Sequence, residues 1–523
     1  MGAVFCDCEK KKNGYVDGSV PDFDSKLPSL QSGVPQTEIK GMNKGENLNA
    51  IWASLDKSST VGKGVGNPKE KYEFIEQIGL GTFGQVFKVK IKKSGDLRAM
   101  KVIKKQDHSI SFEKSVVHEI EMLESVDHPN VLKVFEFYDC PEHICIVSEL
   151  GEGGSLSQCL DTIVKESEIV KAHIIFQLLS AINYCHSMNI MHRDIQPDNI
   201  LVSPKTSTGV YNIKLIDFGT AKIFLNIQHQ LTGSPQFIAP EVIKGDYNEK
   251  CDLWSCGIIL YGLFKGSYPF TGKNNKELFE NILSGHYDIR GSPFDTVNND
   301  TKDLIQKLLK VDPASRISAQ KALDHPWFKR LKIKEKYFDV DFEMVQTLLN
   351  HVLSFSPTNS LQKPVIAYLI HNHGDRSTEI KHANNLFAKI DINNNGTLDR
   401  REFIINCINF YRKYGQQVDD KFLGTIFDKI DYDHSKQIGY REFVCAAVDK
   451  NVFIKDDFLQ EAFNFFDKDK NGTISLDEVK RAFSSMKGYK DKDFEEILRG
   501  VDLNKDEKID FYEFKTMMQT IIV

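Results

Sequence analysis

No stretch of 18 consecutive apolar residues occurs in the chain, so no membrane-spanning helix is expected. The first residues lack a basic start followed by an apolar block, so no secretory signal is expected either. Neither sign of charge dominates: 67 Lys and Arg stand against 73 Asp and Glu, for a net charge of −6. That balance excludes a generally basic nucleic-acid binder, although not a local patch. The ten cysteines are scattered at 6, 8, 140, 145, 159, 185, 251, 256, 407 and 445. None forms a zinc-type CxxC pair, and reduced thiols are the default. With 41% hydrophobic and 27% charged residues, the chain is neither wholly disordered nor collagen-like. Its 523 residues exceed what one core holds; at roughly 100–200 residues per domain, about three domains are expected.

Residues 9–67 are rich in Gly, Ser, Asn, Lys and Pro, which predicts a flexible N-terminal extension over 1–70. From 71 to 328 the texture is that of a mixed α/β domain. Its β-favouring runs at Val86–Lys92, Leu97–Ile103 and His143–Ser148 give way to helical stretches. A basic and then amphipathic junction covers 329–378. Residues 379–523 repeat a helix–acidic loop–helix unit four times, with loops at 391–402, 431–442, 467–478 and 502–513.

A calcium loop needs oxygen ligands at positions 1, 3, 5, 7, 9 and 12, the last a Glu that closes the shell with both oxygens. Loop one offers Asp391, Asn393, Asn395, Thr397, Asp399 and Glu402; loop two offers Asp431, Asp433, Ser435, Gln437 and Glu442. Loop three offers Asp467, Asp469, Asn471, Thr473, Ser475 and Glu478; loop four offers Asp502, Asn504, Asp506, Lys508, Asp510 and Glu513. Position 8 is apolar each time (Leu398, Ile438, Ile474, Ile509), as expected where paired loops meet in a short β contact. One match could be a solvated acidic turn; four in tandem leave that reading negligible. Position 6 turns sharply and favours Gly, which Gly396 and Gly472 supply and Lys436 and Glu507 do not. A non-Gly residue there costs roughly 1–2 kcal/mol. Loop two is the weakest, with Lys436 near the ion and Gly439 at position 9. These units resemble EF-hands, and four in two pairs look like a calmodulin-type calcium sensor.

Residues 78–86 read I-G-L-G-T-F-G-Q-V and are followed by a β-favouring run rather than a helix. A dinucleotide loop should open a helix, whereas a glycine-rich hairpin suits a lid whose backbone N–H groups approach phosphate. Lys101, ending Ala99-Met100-Lys101, stands at the spacing of a phosphate-gripping lysine; Glu119 or Glu121 lies on the next helical stretch, and Glu119 is the chosen partner. Alone, Lys101 would read as a solvated strand lysine. Further on, 192–199 read H-R-D-I-Q-P-D-N, 217–219 D-F-G and 239–241 A-P-E. Order and spacing reproduce the protein-kinase signature set. Asp194 suits the carboxylate that orients a substrate hydroxyl, and Asn199 and Asp217 suit magnesium ligation. Asp252 and Arg316, the latter paired with Glu241, resemble buried structural anchors of the helical lobe.

A kinase domain, a junction and four EF-hands in one chain resemble the calcium-dependent protein kinases of plants and protists. The resemblance covers most of the chain. It implies an α+β bilobal kinase fold followed by an all-α EF-hand domain. It also implies transfer of phosphate from ATP to protein Ser/Thr hydroxyls, with Mg2+ and Ca2+ as cofactors. Ile78, Gly79, Gly81, Gly84 and Val86 would cover the nucleotide, and the backbone at Glu149 and Leu150, after a small Ser148, would meet its base. Ser234 sits where such kinases place a hydroxyl near the catalytic carboxylate. Two residues depart from the pattern. Gln196 replaces a lysine that touches the transferring phosphate, and losing one charge-stabilising donor can cost on the order of 100–1000-fold in rate. Ser155 replaces an acidic residue that reads basic substrate side chains.

In 342–353, Phe342, Val345, Leu348, Leu349, Val352 and Leu353 recur at helical spacing as one apolar stripe. The stripe suits a helix packed permanently on the kinase, or a switch helix gripped by the sensor; the adjacent sensor favours the second. The start, M-G-A-V-F-C-D-C, offers Gly2 for myristoylation and Cys6 and Cys8 for palmitoylation, and so membrane association of an otherwise cytoplasmic chain. Position 6 is not the Ser or Thr of the myristoylation motif, and the flank is weakly basic. The competing reading is a scaffold whose kinase lobe hardly turns over, with the chain acting as a calcium sensor; only Gln196 favours it.

Overall fold

The structure is a computed structural model. It describes residues 61–521 except 65, 82–83, 106–109, 207–208, 224–232, 335–341, 355–358, 375–377, 432–434 and 484–490. Gly2, Cys6, Cys8 and Asp433 therefore lie outside the described residues. Two compact units form: one holds residues 63–109 and 136–150, the other 110–135 and everything from 151 onward.

The first unit is built on a six-stranded sheet. Its strands are β1 (Gly62–Gly64), β2 (Tyr72–Gly81), β3 (Gly84–Ile91), β4 (Leu97–Lys104), β5 (Val134–Asp139) and β6 (His143–Ser148), in spatial order β1-β5-β6-β4-β3-β2. Side chains alternate between the faces of a strand. Phe87 and Val89 of β3, Met100 and Val102 of β4, and Cys145 and Val147 of β6 thus share one buried face. Lys101 falls between Met100 and Val102 and takes the other face, opposite Val86 on one side and Ile146 on the other.

The second unit begins with α1 (Ile110–Ser125) and continues through α2 (Leu156–Ile163) and α3 (Glu168–Ser187). A short ladder joins β7 (Ile200–Val202) to β8 (Ile213–Leu215), and α4 (Lys250–Lys265) follows. Helices α3 and α4 are apolar on nearly every face and form the interior of this part. Arg316 and Glu241, both buried, pair through both guanidinium nitrogens, with Nη2 to Oε2 at 2.9 Å. Such a pair is weak evidence for stability, but breaking it by removing one partner leaves an uncompensated buried charge.

Beyond 341 come α5 (Phe342–Ser354) and α6 (Gln362–His373), then eight helices in two groups of four. In the first group α7 (Thr378–Ile390) and α8 (Arg400–Lys413) flank strand β9 (Thr397–Asp399). There α9 (Asp420–Ile430) and α10 (Tyr440–Ala447) flank β10 (Gln437–Gly439). In the second, α11 (Asp456–Phe466) and α12 (Leu476–Ala482) flank β11 (Thr473–Ile474), and α13 (Asp491–Arg499) and α14 (Phe511–Gln519) flank β12 (Ile509–Asp510). The loops pair through their apolar eighth positions, Leu398 opposite Ile438 and Ile474 opposite Ile509. Helix α5 buries Val345, Leu348, Leu349 and Val352 in the same core as Leu423, Phe427 and Phe443. Each such side chain removed from water is worth about 1.5–3 kcal/mol.

Helix α6 has no counterpart in the sequence reading. Residues 364–371 are all buried, so the helix shows no stripe from which its period could be read. It is tied down by Gln362, whose Nε2 donates to the carbonyl of Met517 (2.7 Å) and to Thr520 Oγ1 (2.9 Å).

Candidate catalytic site and calcium loops

In the first unit, β2 and β3 run together down to Gly81 opposite Gly84, the mouth of the glycine-rich hairpin. Ile78 is 41% exposed and Val86 half-buried, so this end of the sheet offers a partly apolar surface. Glu149 and Leu150 leave β6 directly and are half-buried, with their backbone outside any strand. Lys101 is half-buried on the face away from the core.

In the second unit the segment 192–199 is held by Asp252 near the start of α4. The Asp252 carboxylate accepts the backbone N–H groups of His192 (3.0 Å) and Arg193 (2.9 Å), and His186 Nε2 lies 2.9 Å away. Burial alone would raise its pKa, but the His186 hydrogen bond and neighbouring positive groups hold the carboxyl below its usual range. Arg193 and Asp217 both adopt left-handed backbone, with φ of 70° and 64°. Such strain persists only where surrounding bonds over-determine it. Arg193 Nε donates to the Thr220 carbonyl at 2.6 Å, and Thr220 Oγ1 returns a bond to the His192 carbonyl at 2.9 Å. His192 packs edge-on against Phe218 at 4.8 Å.

This scaffold fixes Asp194. Its Oδ1 accepts from the backbone N–H and the hydroxyl of Ser234, both at 3.0 Å. Its Oδ2 accepts from Gln196 Nε2 (3.0 Å) and Asn199 Nδ2 (2.9 Å). Ser234 reaches it because Gly233, at φ +96°, lies so close to Arg193 that an added Cβ would sit 2.6 Å from its carbonyl oxygen. Asn199 Nδ2 also donates to the Asp194 carbonyl (2.9 Å), which leaves Asn199 Oδ1 as the atom it can turn to a cation. Asp194 and Ser234 line a cleft with Phe237, Val242, Tyr247 and Ser255. Glu119 is buried on α1, close enough to place a Cβ added at Gly219 3.8 Å from its Oε2; His118 Nε2 lies 2.7 Å from the Ala221 carbonyl.

The loops share one backbone. In loop three the Asp467 carboxylate accepts the N–H groups of Asn471 and Gly472, and Glu478 accepts those of Lys468 and Asp469. Carboxylate oxygens of Asp467, Asp469 and Glu478 converge within 4.8 Å of one another, a donor set that fits a hard cation such as calcium. Loop one is built the same way with Asp391 and Glu402, and loop four with Asp502 and Glu513. Burial pushes Asp391 up to about 7 and raises Glu402, and the nearby Lys334 charge and the loop N–H groups offset this only in part. The side chains of Asp399 and Asp510 accept the N–H groups of Glu402 and Glu513 and so cap the exit helices. Asn393, Asn395, Thr397, Asn471, Thr473, Ser475, Asn504, Asp506 and Lys508 all lie in these loops. In loop two, Asp431, Ser435, Gln437 and Glu442 are described, and Asp431 accepts from the Lys436 N–H at 3.1 Å. Lys436 and Glu507 take φ of 67° and 64°, the strained conformation expected of a non-glycine sixth position.

Residues that bring the EF-hand region against α3 escaped the sequence reading. They are Asn183, Tyr184 and Ser187 on α3 and Lys334 beyond the last kinase helix, and no spacing rule marks them because their partners lie 57 to 212 positions away.

Comparison with known proteins agrees with this geometry. The model of the protein kinase domain matches residues 72–328, and that of the EF-hand domain pair matches 380–448 and 456–519. The chain thus joins a protein kinase domain to an EF-hand region. It is 33% identical over 508 residues to calcium-dependent protein kinase 4 of Plasmodium falciparum, covering 94% of this chain and 95% of that one. It is 34% identical to calcium-dependent protein kinase 4 of Plasmodium berghei, over 86% of each. It is 34% identical to calcium-dependent protein kinase 5 of Plasmodium falciparum, over 84% of this chain and 76% of that one. The chain belongs to the calcium-dependent protein kinase family. Among the described residues, no helix is long and apolar enough to cross a membrane.

Proposed function

We propose that the chain is a calcium-activated serine/threonine protein kinase that transfers the γ-phosphate of ATP to protein hydroxyls. The observation that carries this reading is the hold on Asp194: four donors from three residues fix one orientation of its carboxylate. A carboxylate so oriented accepts a hydrogen bond from an incoming Ser or Thr hydroxyl and takes its proton as the bond to phosphorus forms. The Ser234 hydroxyl can rotate to yield its place on Oδ1 to that group. Asn199 Oδ1 and the Asp217 carboxylate would hold magnesium, which when bound offsets the charge of the phosphates. Lys101 would grip the phosphates and pair with Glu119. Ile78, Gly79, Gly81, Gly84 and Val86 would cover the nucleotide, and the backbone at Glu149 and Leu150 would bind its base.

In this reading residues 71–328 are the catalytic domain, 329–378 the regulatory junction and 379–523 the sensor. The junction keeps the kinase off until calcium binds loops one, three and four, with loop two the weakest. Support comes from the apolar stripe of α5, which shares a core with the sensor helices. Gly2, Cys6 and Cys8 add a lipid anchor, which intact-mass measurement before and after hydroxylamine treatment would detect. Phosphate transfer to a Ser-containing peptide tests the whole reading: it should need calcium and vanish in Asp194→Asn.

A further inference from the structure

The three calcium loops described in full differ in their surroundings. Loops three and four face solvent at positions 3 to 6, and among the described residues nothing lies within 4 Å of a Cβ added at Gly472. Loop one is pressed against helix α3. A Cβ at Gly396 would meet the Tyr184 ring at 2.1 Å, and Asp391 and Asn394 are each 5% exposed. Asn183 Nδ2 donates to the carbonyls of Asn394 (2.6 Å) and Asn393 (3.2 Å), and the Ser187 hydroxyl is shared between the carbonyls of Tyr184 (2.7 Å) and Asn395 (3.1 Å). Lys334 Nζ donates to the carbonyl of Asp391 at 2.9 Å.

None of these carbonyls belongs to position 7, the only position whose backbone oxygen ligates calcium in such a loop. The kinase helix therefore grips the loop without competing for the ion. It holds the carbonyls where the closed loop puts them, and a site already closed loses less freedom when the ion arrives. The grip also buries the Asp391 carboxylate, and a bound cation relieves that cost. Both effects have the same sign.

We propose that helix α3 is a built-in affinity setter for loop one: the bonds from Asn183 and Ser187 tighten calcium binding at this loop alone, and calcium there tightens the docking of the sensor on α3. The second half follows from the first, because coupling between two binding equilibria is reciprocal. The proposal rests on the reading of loop one as a calcium site.

The test uses the full-length chain carrying Glu442→Gln, Glu478→Gln and Glu513→Gln, so that calcium chloride titrated in a calorimeter reports loop one. Adding Asn183→Ala, Asn183→Leu or Ser187→Ala should weaken that site roughly five- to fiftyfold, within the range of ordinary allosteric coupling. Ser187 is exposed, so its variant keeps the test valid if the Asn183 variants do not fold. Lys334 is left unchanged because its charge acts on the ion as well as on the carbonyls. In chains with the other loops intact, the same α3 changes should leave loops three and four unaffected, and calcium should slow amide exchange at 183–188 unless Glu402 is changed to Gln. Unchanged loop-one affinity in the folded Ser187→Ala and Asn183→Ala chains would overturn the coupling. No calcium binding in the parent chain with three loops disabled, or binding that survives Glu402→Gln, would instead overturn the calcium reading of loop one.

Discussion

Gln196 is where this chain parts from its family's pattern at the reacting group, and its side chain donates to Asp194 at 3.0 Å. It thus keeps the orienting part of a lysine's work and lacks the charge. Gln196→Lys should raise the turnover number, with little change in the Michaelis constant for ATP, because added charge acts mostly on the transferring phosphate. The gain should be about ten- to a hundredfold, below the 100–1000-fold that a whole charge-stabilising donor is worth; steady-state kinetics on one peptide decides it. Asp194→Asn or Asp217→Asn should abolish transfer while calcium binding stays intact. Asp252 makes a different kind of contribution. Asp252→Asn should destabilise the chain by about 3–5 kcal/mol in a thermal melt, as for a buried charged group stripped of its partner. Its folded pKa is depressed, so its stabilisation is present at neutral pH and is lost only as pH falls below the ordinary carboxylate range. The meeting of Asp194 with Asn199 was legible in the sequence because both lie in one contiguous motif. The function of Asp252 as the clamp on the His192 and Arg193 backbone was not, because those bonds join segments about 60 positions apart.

At the scale of elements, the calcium loops were almost fully readable, since ligand spacing and the apolar eighth position are local patterns. Loop three combines Gly472 with three converging carboxylates, whereas loop two strains Lys436 at φ 67°. Glu478→Gln should therefore impair calcium activation more than Glu442→Gln, read by calorimetry and a kinase assay together; equal losses would contradict the ranking. The stripe of α5 was equally legible, and its residues Leu348 and Val352 are 2% and 0% exposed. Leu348→Asp with Val352→Asp buries two carboxylates in that core or ejects the helix, and should uncouple calcium binding from activation. Helix α6 escaped because burial on every side erases the period that marks a half-buried helix.

Across the whole molecule, the chain joins a protein kinase domain, a junction and an EF-hand region that touches the kinase domain through loop one and through Arg441, which pairs with Asp127 (2.9 Å). The last kinase helix, Pro326–Leu331, carries Arg330, which pairs with Glu168 (2.7 Å) and Asp300 (3.0 Å) and so closes the base of α3. A chain truncated after Arg330 keeps that closure and loses the junction, and under the proposed autoinhibition it should transfer phosphate in chelator. A folded, ATP-binding truncation that stays silent would mean that the sensor contributes positively to the active shape. The contact between loop one and α3 was beyond sequence reading, because neither side has a periodic or motif signature and only the fold brings them together. The most direct measurement is phosphate transfer from ATP to a Ser-containing peptide by the full-length chain, in calcium and in chelator, with Asp194→Asn as the blank. The account predicts transfer in calcium and at least about tenfold less in chelator, a shift within the reach of one allosteric coupling. Equal rates in both, or none in either from a chain that binds ATP and calcium, would contradict it.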